Sequence, residues 1–414
     1  MAKILISSLG KGVKGGSYNV AKYVMGEDKK IYESSSISKV LVDTLGIDKL
    51  FLLGTSGSAW DMIADNFGGS DEISLPLMEK VENASVSQRD LEELSRVIDT
   101  HLGTTGSKSW IIDYGIDENE LWNNFSILLE MSRMFENGDE VYLDITHAFR
   151  SLPMISFVMT EFASQVSDID FRLSGIYYGM FEYSKDPKNR EQTTPIVDIS
   201  IIYELHRWIR AIDAMKNYGN LDPLVKLLDT GSKEEKEVEK VFVQLNNNIK
   251  IANLASIKQF VSTASSKINA LKRSDNRIVK LLSKDIEDFV QRLNKEKMSD
   301  FQFELAKWFY DNKQYAMSYM ALAEAVVTKT CEYKGYDSEK EEGRKEAKSH
   351  IDTPYDSYFS ATKKVRGEVI TNEGSISDVR NNIAHQLPNR KDFVKQDIEK
   401  LGWYLDEFED YMCK

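Results

Sequence analysis

Residues 3–16 read KILISSLGKGVKGG, an apolar run followed directly by a glycine-rich loop. Gly10, Gly12 and Gly15 have the spacing G-x-G-x-x-G, which marks a dinucleotide-binding loop when it lies between a strand and a helix. The apolar run predicts a buried strand. The stretch therefore predicts that an α/β fold begins here, and it raises the question of which phosphate the loop would hold.

The residues after this loop are not typical of a helix. Residues 17–36, SYNVAKYVMGEDKKIYESSS, form β-branched and aromatic runs around 26–29, which favours a hairpin, and the first clear helix is predicted near Ser36. Glu33 has about the position of a ribose-binding acid, but a hairpin lacks the helix N-terminus that binds a pyrophosphate. NAD binding is disfavoured. A flexible turn and a backbone-lined loop that approaches another phosphate both remain open.

The chain predicts two domains of different class. Up to about residue 200, apolar strand-like runs (3–9, 48–55, 140–146, 171–179) alternate with helical patterns (36–45, 90–102, 119–135, 150–166). This alternation predicts an α/β domain with a mostly parallel sheet over residues 1–205. Residues 206–414 are rich in Lys, Glu, Leu and Ala at helical spacing and predict an all-α domain. The charged stretch 228–240, LDTGSKEEKEVEK, is typical of an exposed connection.

Composition narrows the class of protein further. The 414 residues carry a net charge of -13, so binding RNA would require a local basic patch or cleft. Two cysteines, Cys331 and Cys413, exclude a disulfide scaffold, and the five scattered histidines predict no metal site. No stretch approaches the roughly 18 apolar residues of a membrane span, and no signal peptide is recognisable, so a cytoplasmic location is expected.

Small and polar residues follow three of the predicted strands. Ligands of open parallel sheets bind beyond the carboxyl ends of the strands, so these residues predict a phosphate- and base-binding crevice. Trp60 is expected to stack on a base, whereas Thr146 or Ser56 could instead cap the next helix. The predicted binding residues are Gly10, Lys11, Gly12, Thr55, Ser56, Gly57, Ser58, Trp60, Asp144, Thr146, His147 and Arg150.

A second constellation lies near the C-terminus, in SISDVRNNIAHQL at 375–387. Arg380, Asn381 and His385 form R-N-x-x-x-H. His385 could be a partly buried helix histidine; alternatively, Arg380 stabilises a phosphorane and His385 transfers protons in metal-free RNA cleavage. The two side chains lie about 140° apart around a helix, so two copies facing each other would make a better site. Arg96 and His101 repeat the R-x-x-x-x-H spacing without the Asn, which we interpret as coincidence.

The two halves together resemble the CRISPR-associated CARF–HEPN ribonucleases of type III systems. DITHAFRSLP at 144–153 and R-N-x-x-x-H carry most of the resemblance, and YYGMFE and TPIVDIS add to it. The resemblance implies a Rossmann-like CARF sensor that binds cyclic oligoadenylate and an HEPN domain that cuts single-stranded RNA. It implies a homodimer or higher oligomer, catalysis by Arg380, Asn381 and His385, and no cofactor besides the allosteric activator. Ala148 departs from the family, which often has Gly there.

Alternatives remain open at this stage. The chain could be a ligand-binding CARF protein whose HEPN half serves dimerisation, or a ring nuclease that degrades its own cyclic oligoadenylate using Thr146 or His147. Two-fold symmetry requires an even ring, and four adenylates are favoured over six by family resemblance alone. A nicotinamide oxidoreductase is disfavoured by the hairpin after the glycines.

Overall fold

The protein is described from a computed structural model. The structure describes residues 1–26, 30–147, 152–166, 169–229, 231–351, 376 and 394–412. The chain divides into two compact units, Met1–Tyr203 and Glu204–Lys414. The division lies close to the predicted boundary between 205 and 206. The roles assigned to the two domains stay predictions.

The first unit is built on one mixed sheet of eight strands. Its strands are β1 (Lys3–Ser8), β2 (Ala21–Met25), β3 (Lys30–Ser34), β4 (Lys49–Gly54), β5 (Lys108–Ile111), β6 (Glu140–Asp144), β7 (Arg172–Gly179) and β8 (Thr193–Asp198). Their order is β3-β2-β8-β7-β6-β1-β4-β5. β1 pairs in parallel with β4 and β6, and β4–β5, β6–β7 and β2–β8 are also parallel. Only β2–β3 and β7–β8 are antiparallel among the described strands.

The central strands are apolar on both faces because helices cover both sides of the sheet. Leu5 and Leu50 belong to the core on one face, which the helices α1 (Ile37–Leu45), α2 (Trp60–Asn66), α3 (Asp71–Glu82) and α4 (Gln88–Leu102) complete. Ile4 and Phe51 belong to the core on the other face, together with α5 (Glu118–Ser132) and α6 (Leu152–Val166). All four side chains are fully buried.

The hairpin predicted after the glycine loop is confirmed. β2 and β3 pair antiparallel from Ala21–Ser34 to Met25–Lys30, and the connecting residues 27–29 lie outside the described residues. The helix predicted near Ser36 is α1, whose first turn is capped by the Ser36 side chain. The glycine loop is followed by a single 3₁₀ turn, Lys14–Gly16, and not by an α-helix. The dinucleotide-binding geometry is therefore absent at this loop.

In its described residues the second unit consists of helices and the segments that join them. They are α8 (Ile201–Tyr218), which spans the division, α9 (Asp222–Asp229), α10 (Lys233–Lys250), α11 (Leu254–Lys267), α12 (Asn269–Lys272), α13 (Arg277–Leu293), α14 (Met298–Asp311), α15 (Tyr315–Lys334), α16 (Glu341–Ile351) and α17 (Val394–Met412); the short α7 (Phe181–Ser184) belongs to the first unit. One apolar core joins them, with Phe242, Phe309 and Tyr404 fully buried.

The predicted fold class, a mostly parallel α/β domain followed by a helical one, is confirmed. In the described part of the chain, no helix has the length and apolar character needed to cross a bilayer.

The prediction of an exposed connection at 228–240 is wrong. Most of this stretch begins α10, where Ser232 and Glu235 cap the helix reciprocally. The Ser232 amide donates to Glu235 Oε2 at 3.2 Å, and the Ser274 hydroxyl donates to Glu235 Oε1. Glu235 is only 2% exposed. The run of charges gives no sign that Glu235 is buried, because its partner Ser274 is distant in sequence.

Loss of the Ser274 hydroxyl should destabilise the helical unit. Ser274→Ala removes a donor to the buried Glu235 carboxylate, and an unsatisfied buried group costs about 1–3 kcal/mol. Urea unfolding of the full chain would measure the change. Ser266→Ala is the matched control, because this exposed hydroxyl donates only to a carbonyl of its own helix. Equal unfolding midpoints for the two variants would contradict the role given to Ser274.

Candidate functional site

The candidate site lies at the carboxyl ends of β6, β1 and β4, which are neighbours in the sheet. After the β2–β3 hairpin, the chain adds β4 and β5 on one side of β1 and then crosses to β6 and β7 on the other side. The strand order therefore reverses between β1 and β6. In open α/β sheets such a reversal leaves a crevice outside the strand ends, which is where ligands bind.

Thr146 and His147 line the β6 side of this crevice, and both side chains are half-buried. The Thr146 hydroxyl accepts from the Gly179 amide at 2.9 Å, so its own hydrogen stays available to donate. A Cβ placed on Gly10 would lie 3.5 Å from the His147 ring. The same ring lies 5.5 Å from the ring of Phe181. The structure thus brings together three predicted residues from β6 and the β1 loop: Gly10, Thr146 and His147.

Asp144 supports this arrangement from inside the protein. It is 3% exposed, accepts from the Ser7 hydroxyl at 2.6 Å and accepts from the Thr146 amide at 3.0 Å. Both carboxylate oxygens are therefore engaged, one across β1 and β6 and one in the turn after β6. The prediction that Asp144 binds the ligand is corrected: it positions the Thr146 turn.

The turn after β4 divides into buried and accessible residues. Ser58 is 1% exposed, and its hydroxyl accepts from the Thr55 amide at 2.9 Å. Thr55 is also buried, although it borders a cavity described below. Ser56 and Gly57 are half-buried and remain candidates for ligand contact. The prediction of direct contact is wrong for Ser58, because its hydroxyl closes the turn.

The prediction that Trp60 stacks on a base is also wrong. Its ring is fully buried in the core under α1 to α4, and its indole N–H donates to the Thr55 carbonyl at 2.8 Å. A buried tryptophan needs a partner for this N–H, and the turn after β4 supplies one. Trp60 therefore stabilises the turn from below and offers no ring face to a ligand.

The backbone of the glycine loop is occupied by the protein itself. The Gly12 amide donates to the Gly57 carbonyl at 2.9 Å, and the Ala59 amide donates back to the Gly10 carbonyl at 3.0 Å. The Gly15 amide donates to Glu82 Oε1 at 2.7 Å. The prediction of a backbone cradle for phosphate is corrected for these amides, because a phosphate would have to displace protein acceptors.

Two lysine side chains place positive charge next to the glycine loop, whose amides already donate to protein acceptors. Lys11 and Lys14 are exposed and form no ion pair with any residue that the structure describes. Lys11 was among the predicted residues, and Lys14 was not. Both border the space next to the glycine loop. They are the local cations that a chain of net charge -13 requires in order to attract an anionic ligand.

A buried pair anchors the far end of the loop. The Tyr18 hydroxyl donates to Asp61 Oδ1 at 2.6 Å and accepts from the Val13 amide at 3.3 Å. Asp61 is 2% exposed. Burial raises the pKa of Asp61, and the hydrogen bond from Tyr18 partly offsets this increase. Burial likewise raises the pKa of Tyr18, so its hydroxyl remains protonated and donating.

A cavity of about 750 Å³ lies beside the glycine loop, on the β4 and β5 side of β1. This volume is within the range of roughly 300–1,000 Å³ that is usual for small-molecule sites. Gly12 closes one wall: a Cβ there would lie 2.0 Å from Val81 Cγ1 and 3.1 Å from the Gly57 carbonyl. The cavity is lined by Lys11, Gly12, Val13, Lys14, Thr55, Gly57, Val81, Glu82, Ala84 and Tyr114.

Four predicted site residues lie outside the described residues: Arg150, Arg380, Asn381 and His385. The repeated spacing at Arg96 and His101 falls on α4, where the His101 ring contacts Phe67 at 5.2 Å between centroids. Among the described residues, no group of three or more His, Cys, Asp or Glu is placed to hold a metal ion.

Comparison with known proteins relates both units to CRISPR-associated proteins. Residues 4–187 match the family model of the CARF domain of the CRISPR system endoribonuclease Csx1. Residues 204–300 match the model of the second domain of the CRISPR-associated protein MJ1674. These matches identify the chain as a CRISPR-associated CARF-domain protein.

The chain is MJ1674-like over most of its length. It is 34% identical to MJ1674 of Methanocaldococcus jannaschii over 355 residues, covering 80% of this chain and 54% of MJ1674. It is 22% identical to Csx1 of the same organism over 232 residues, covering 56% of this chain and 46% of that protein. The chain thus spans about half the length of the curated relatives it matches. Enterococcus italicus Csm6 bound to cyclic hexa-2'-fluoro-hexa-dAMP matches with a TM-score of 0.42 and 13% identity, over 99% of this chain and 94% of that one.

The close approach of Gly12 to α3 generates a stability prediction. Gly12→Ala should destabilise the first unit by about 1–3 kcal/mol, because the added methyl collides with the buried Val81 side chain. Val81→Ala in the same chain should recover part of this loss. A double-mutant cycle by urea unfolding would measure the coupling, expected at about 0.5–3 kcal/mol.

Gly10→Ala is the control for this cycle. Its added methyl would lie 3.5 Å from the His147 ring, an ordinary contact, so a smaller loss is expected. Additive effects of Gly12→Ala and Val81→Ala would show that the two residues do not touch as described.

Proposed function

We propose that the chain is a cyclic-oligoadenylate-activated endoribonuclease that cleaves single-stranded RNA without a metal in type III CRISPR antiviral defence. The observation that carries the proposal is the crevice between β1 and β6, where Thr146, His147 and Gly10 converge within the CARF-matching unit. The R-N-x-x-x-H sequence at Arg380–His385 supports the nuclease assignment. The printed name of the relative Csx1, an endoribonuclease, supports the same class of activity.

The chemistry of the crevice fits a cyclic nucleotide better than a free dinucleotide. No α-helix begins at the glycine loop, so the bridging pyrophosphate of a dinucleotide lacks the helix N-terminus that usually binds it. Thr146 can donate a hydrogen bond, His147 adds an imidazole, and Lys11 adds a cation that no described carboxylate pairs with. Phosphodiesters carry one charge each and are matched by such separate donors. We favour a ring of four adenylates.

The nuclease step requires only groups that the sequence supplies. The 2'-oxygen of the RNA attacks its own phosphorus, the bond to the 5'-oxygen breaks, and a 2',3'-cyclic phosphate and a 5'-hydroxyl form. In this proposal Arg380 stabilises the charge of the phosphorane, His385 transfers a proton, and Asn381 adds a polar contact. A homodimer would bring two such sets together into one composite site.

A ring nuclease is the second candidate. The Thr146 hydroxyl and the His147 imidazole lie on the same side of the crevice, where they could align a 2'-hydroxyl of the bound ring with its phosphate. In that case the first unit would consume its own activator. The two activities can coexist, and a protein with the second alone would leave RNA intact.

His385→Ala should abolish RNA cleavage while cyclic tetra-adenylate binding stays within about threefold of wild type. Proton transfer by a positioned side chain typically contributes about 10²–10⁴-fold to the rate. Labelled RNA, incubated in EDTA with and without activator, would measure this. Arg96→Ala, at an exposed position of α4 in the repeated spacing, is the matched control and should cleave normally. Full activity of a pure His385→Ala protein, or products ending in a 3'-hydroxyl, would refute the proposed chemistry.

Thr146→Ala and His147→Ala should raise the activator concentration needed for half-maximal cleavage. A hydrogen bond to a charged group contributes about 1.5–3 kcal/mol. This corresponds to a rise of roughly 10–150-fold at about 1.4 kcal/mol per decade. At saturating activator the rate should return to near wild type, since a ligand shifts the equilibrium only by its differential affinity.

Thr146→Ser is the conservative control, because it keeps the hydroxyl that accepts from Gly179. An unchanged titration midpoint in Thr146→Ala and His147→Ala would remove the crevice from the proposal. Recovery of intact or opened cyclic tetra-adenylate from the same reactions separates the ring nuclease from the pure sensor.

A further inference from the structure

The cavity beside the glycine loop is separate from the β1–β6 crevice. The crevice lies on the β6 side of β1, whereas the cavity lies on its β4 and β5 side. Lys11, in the loop that follows β1, belongs to the lining of the cavity and adjoins the crevice residue Gly10. A ligand that crosses this loop would therefore place one of its parts in each space.

The cavity is bordered by an exposed hydrogen-bond acceptor, the carboxylate of Glu82. Glu82, the last residue of α3, is held by the Gly15 amide through Oε1 at 2.7 Å. Its second oxygen, Oε2, accepts no hydrogen bond from any residue that the structure describes. The contact with Gly15 engages Oε1 and restricts the rotation of the carboxylate, so Oε2 is the oxygen left to accept a hydrogen bond.

The remaining walls suit a flat aromatic group next to an anion. Val13, Val81 and Ala84 provide apolar surface. Tyr114, which follows β5 in the chain, also lines the cavity. Tyr114 is 56% exposed and offers an aromatic surface of the kind on which bases stack. Lys11 and Lys14 attract phosphate, whereas the Glu82 carboxylate repels it. The charges thus favour one orientation of a nucleotide, with its phosphate toward the lysines.

We propose that this cavity binds one nucleobase of the activator and that Glu82 selects a base with an exocyclic amine. The inference rests on the proposed function and deepens it by assigning base recognition to Glu82, with Tyr114 as the stacking surface. Adenine offers an amine to Oε2 and has no carbonyl at that position. A purine without this amine offers Oε2 no hydrogen bond at that position, and guanine presents a carbonyl oxygen there, which the carboxylate repels. The paired donors of guanine would also need two open carboxylate oxygens, and Oε1 is already engaged.

The test compares two activators on the full-length protein. Cyclic tetra-adenylate and the corresponding ring of unsubstituted purine ribonucleotides differ only by the exocyclic amine on each base. Direct binding by calorimetry should give wild type a preference for the adenylate ring of at least about tenfold, the size expected for one hydrogen bond to a charged group. Glu82→Gln can keep an acceptor for Gly15 and turn its amide N–H₂ toward the base. The preference should then fall below about threefold or reverse.

Three further variants separate base recognition from a structural role. Glu79→Gln, on the same helix and exposed, should keep the wild-type preference. Tyr114→Ala should weaken the binding of both rings by about tenfold without changing the preference between them. Tyr114→Phe should restore the affinity.

The outcomes separate a failure of the proposed function from a failure of the role given to Glu82. If wild type binds neither ring, the proposed function fails. If wild type binds the adenylate ring and Glu82→Gln leaves the preference unchanged, the role of Glu82 is refuted while the proposed function stands. A reduced preference in Glu82→Gln with a normal one in Glu79→Gln supports the inference.

Discussion

The short antiparallel bridge between Lys11 and Ser58 fixes the glycine loop against the turn after β4, and the site geometry depends on it. Two backbone hydrogen bonds form this bridge, from Gly12 to Gly57 and from Ala59 to Gly10. They carry the loop across the end of the sheet, so that the β1–β6 crevice lies on one side and the cavity on the other. The approach is close enough that only glycine fits at position 12, where Val81 of α3 packs directly against the backbone.

The bridge also changes how the loop can meet an anion. A glycine-rich loop usually attracts phosphate through free amides, but here protein acceptors engage the amides of Gly12, Val13 and Gly15. In the proposed sensor, recognition therefore moves from backbone to side chains, to Lys11 and Lys14 for charge and to Thr146 and His147 for hydrogen bonds. Side chains can be matched to one ligand more selectively than a run of amides can, which suits a sensor of a specific second messenger.

The relation to MJ1674 and Csx1 places the chain among CRISPR-associated CARF-domain proteins. The chain corresponds to about half of each relative's length. The sensor, nuclease and dimer assignments are accordingly our proposals. They rest on the crevice in the first unit and on the Arg380–His385 sequence, and each can be tested without the other.

Much of the fold could be predicted from the sequence, because periodicity and turn chemistry are local. The apolar runs of β1 and β4, the hairpin β2–β3 and the start of α1 at Ser36 all follow from residues that are neighbours in the chain. β5 has four residues and α3 contains Pro76, so their local patterns are weak, and both were missed. The end of β5 would otherwise have pointed to Tyr114 by the same strand-end argument that found Thr146.

Which strand-end residues face the site was decided only by the tertiary structure. Local patterns are enough to show that Gly10, Thr55 and Thr146 follow strands, since strand ends can be recognised from neighbouring residues. Local patterns could not show that Trp60 and Ser58 are buried. Nor could they show that Asp144 accepts a hydrogen bond from Ser7 on the neighbouring strand, or that Glu82 accepts one from Gly15, 67 residues away. These facts depend on how distant segments pack, and packing is set by long-range contacts that leave no periodic signal in the chain.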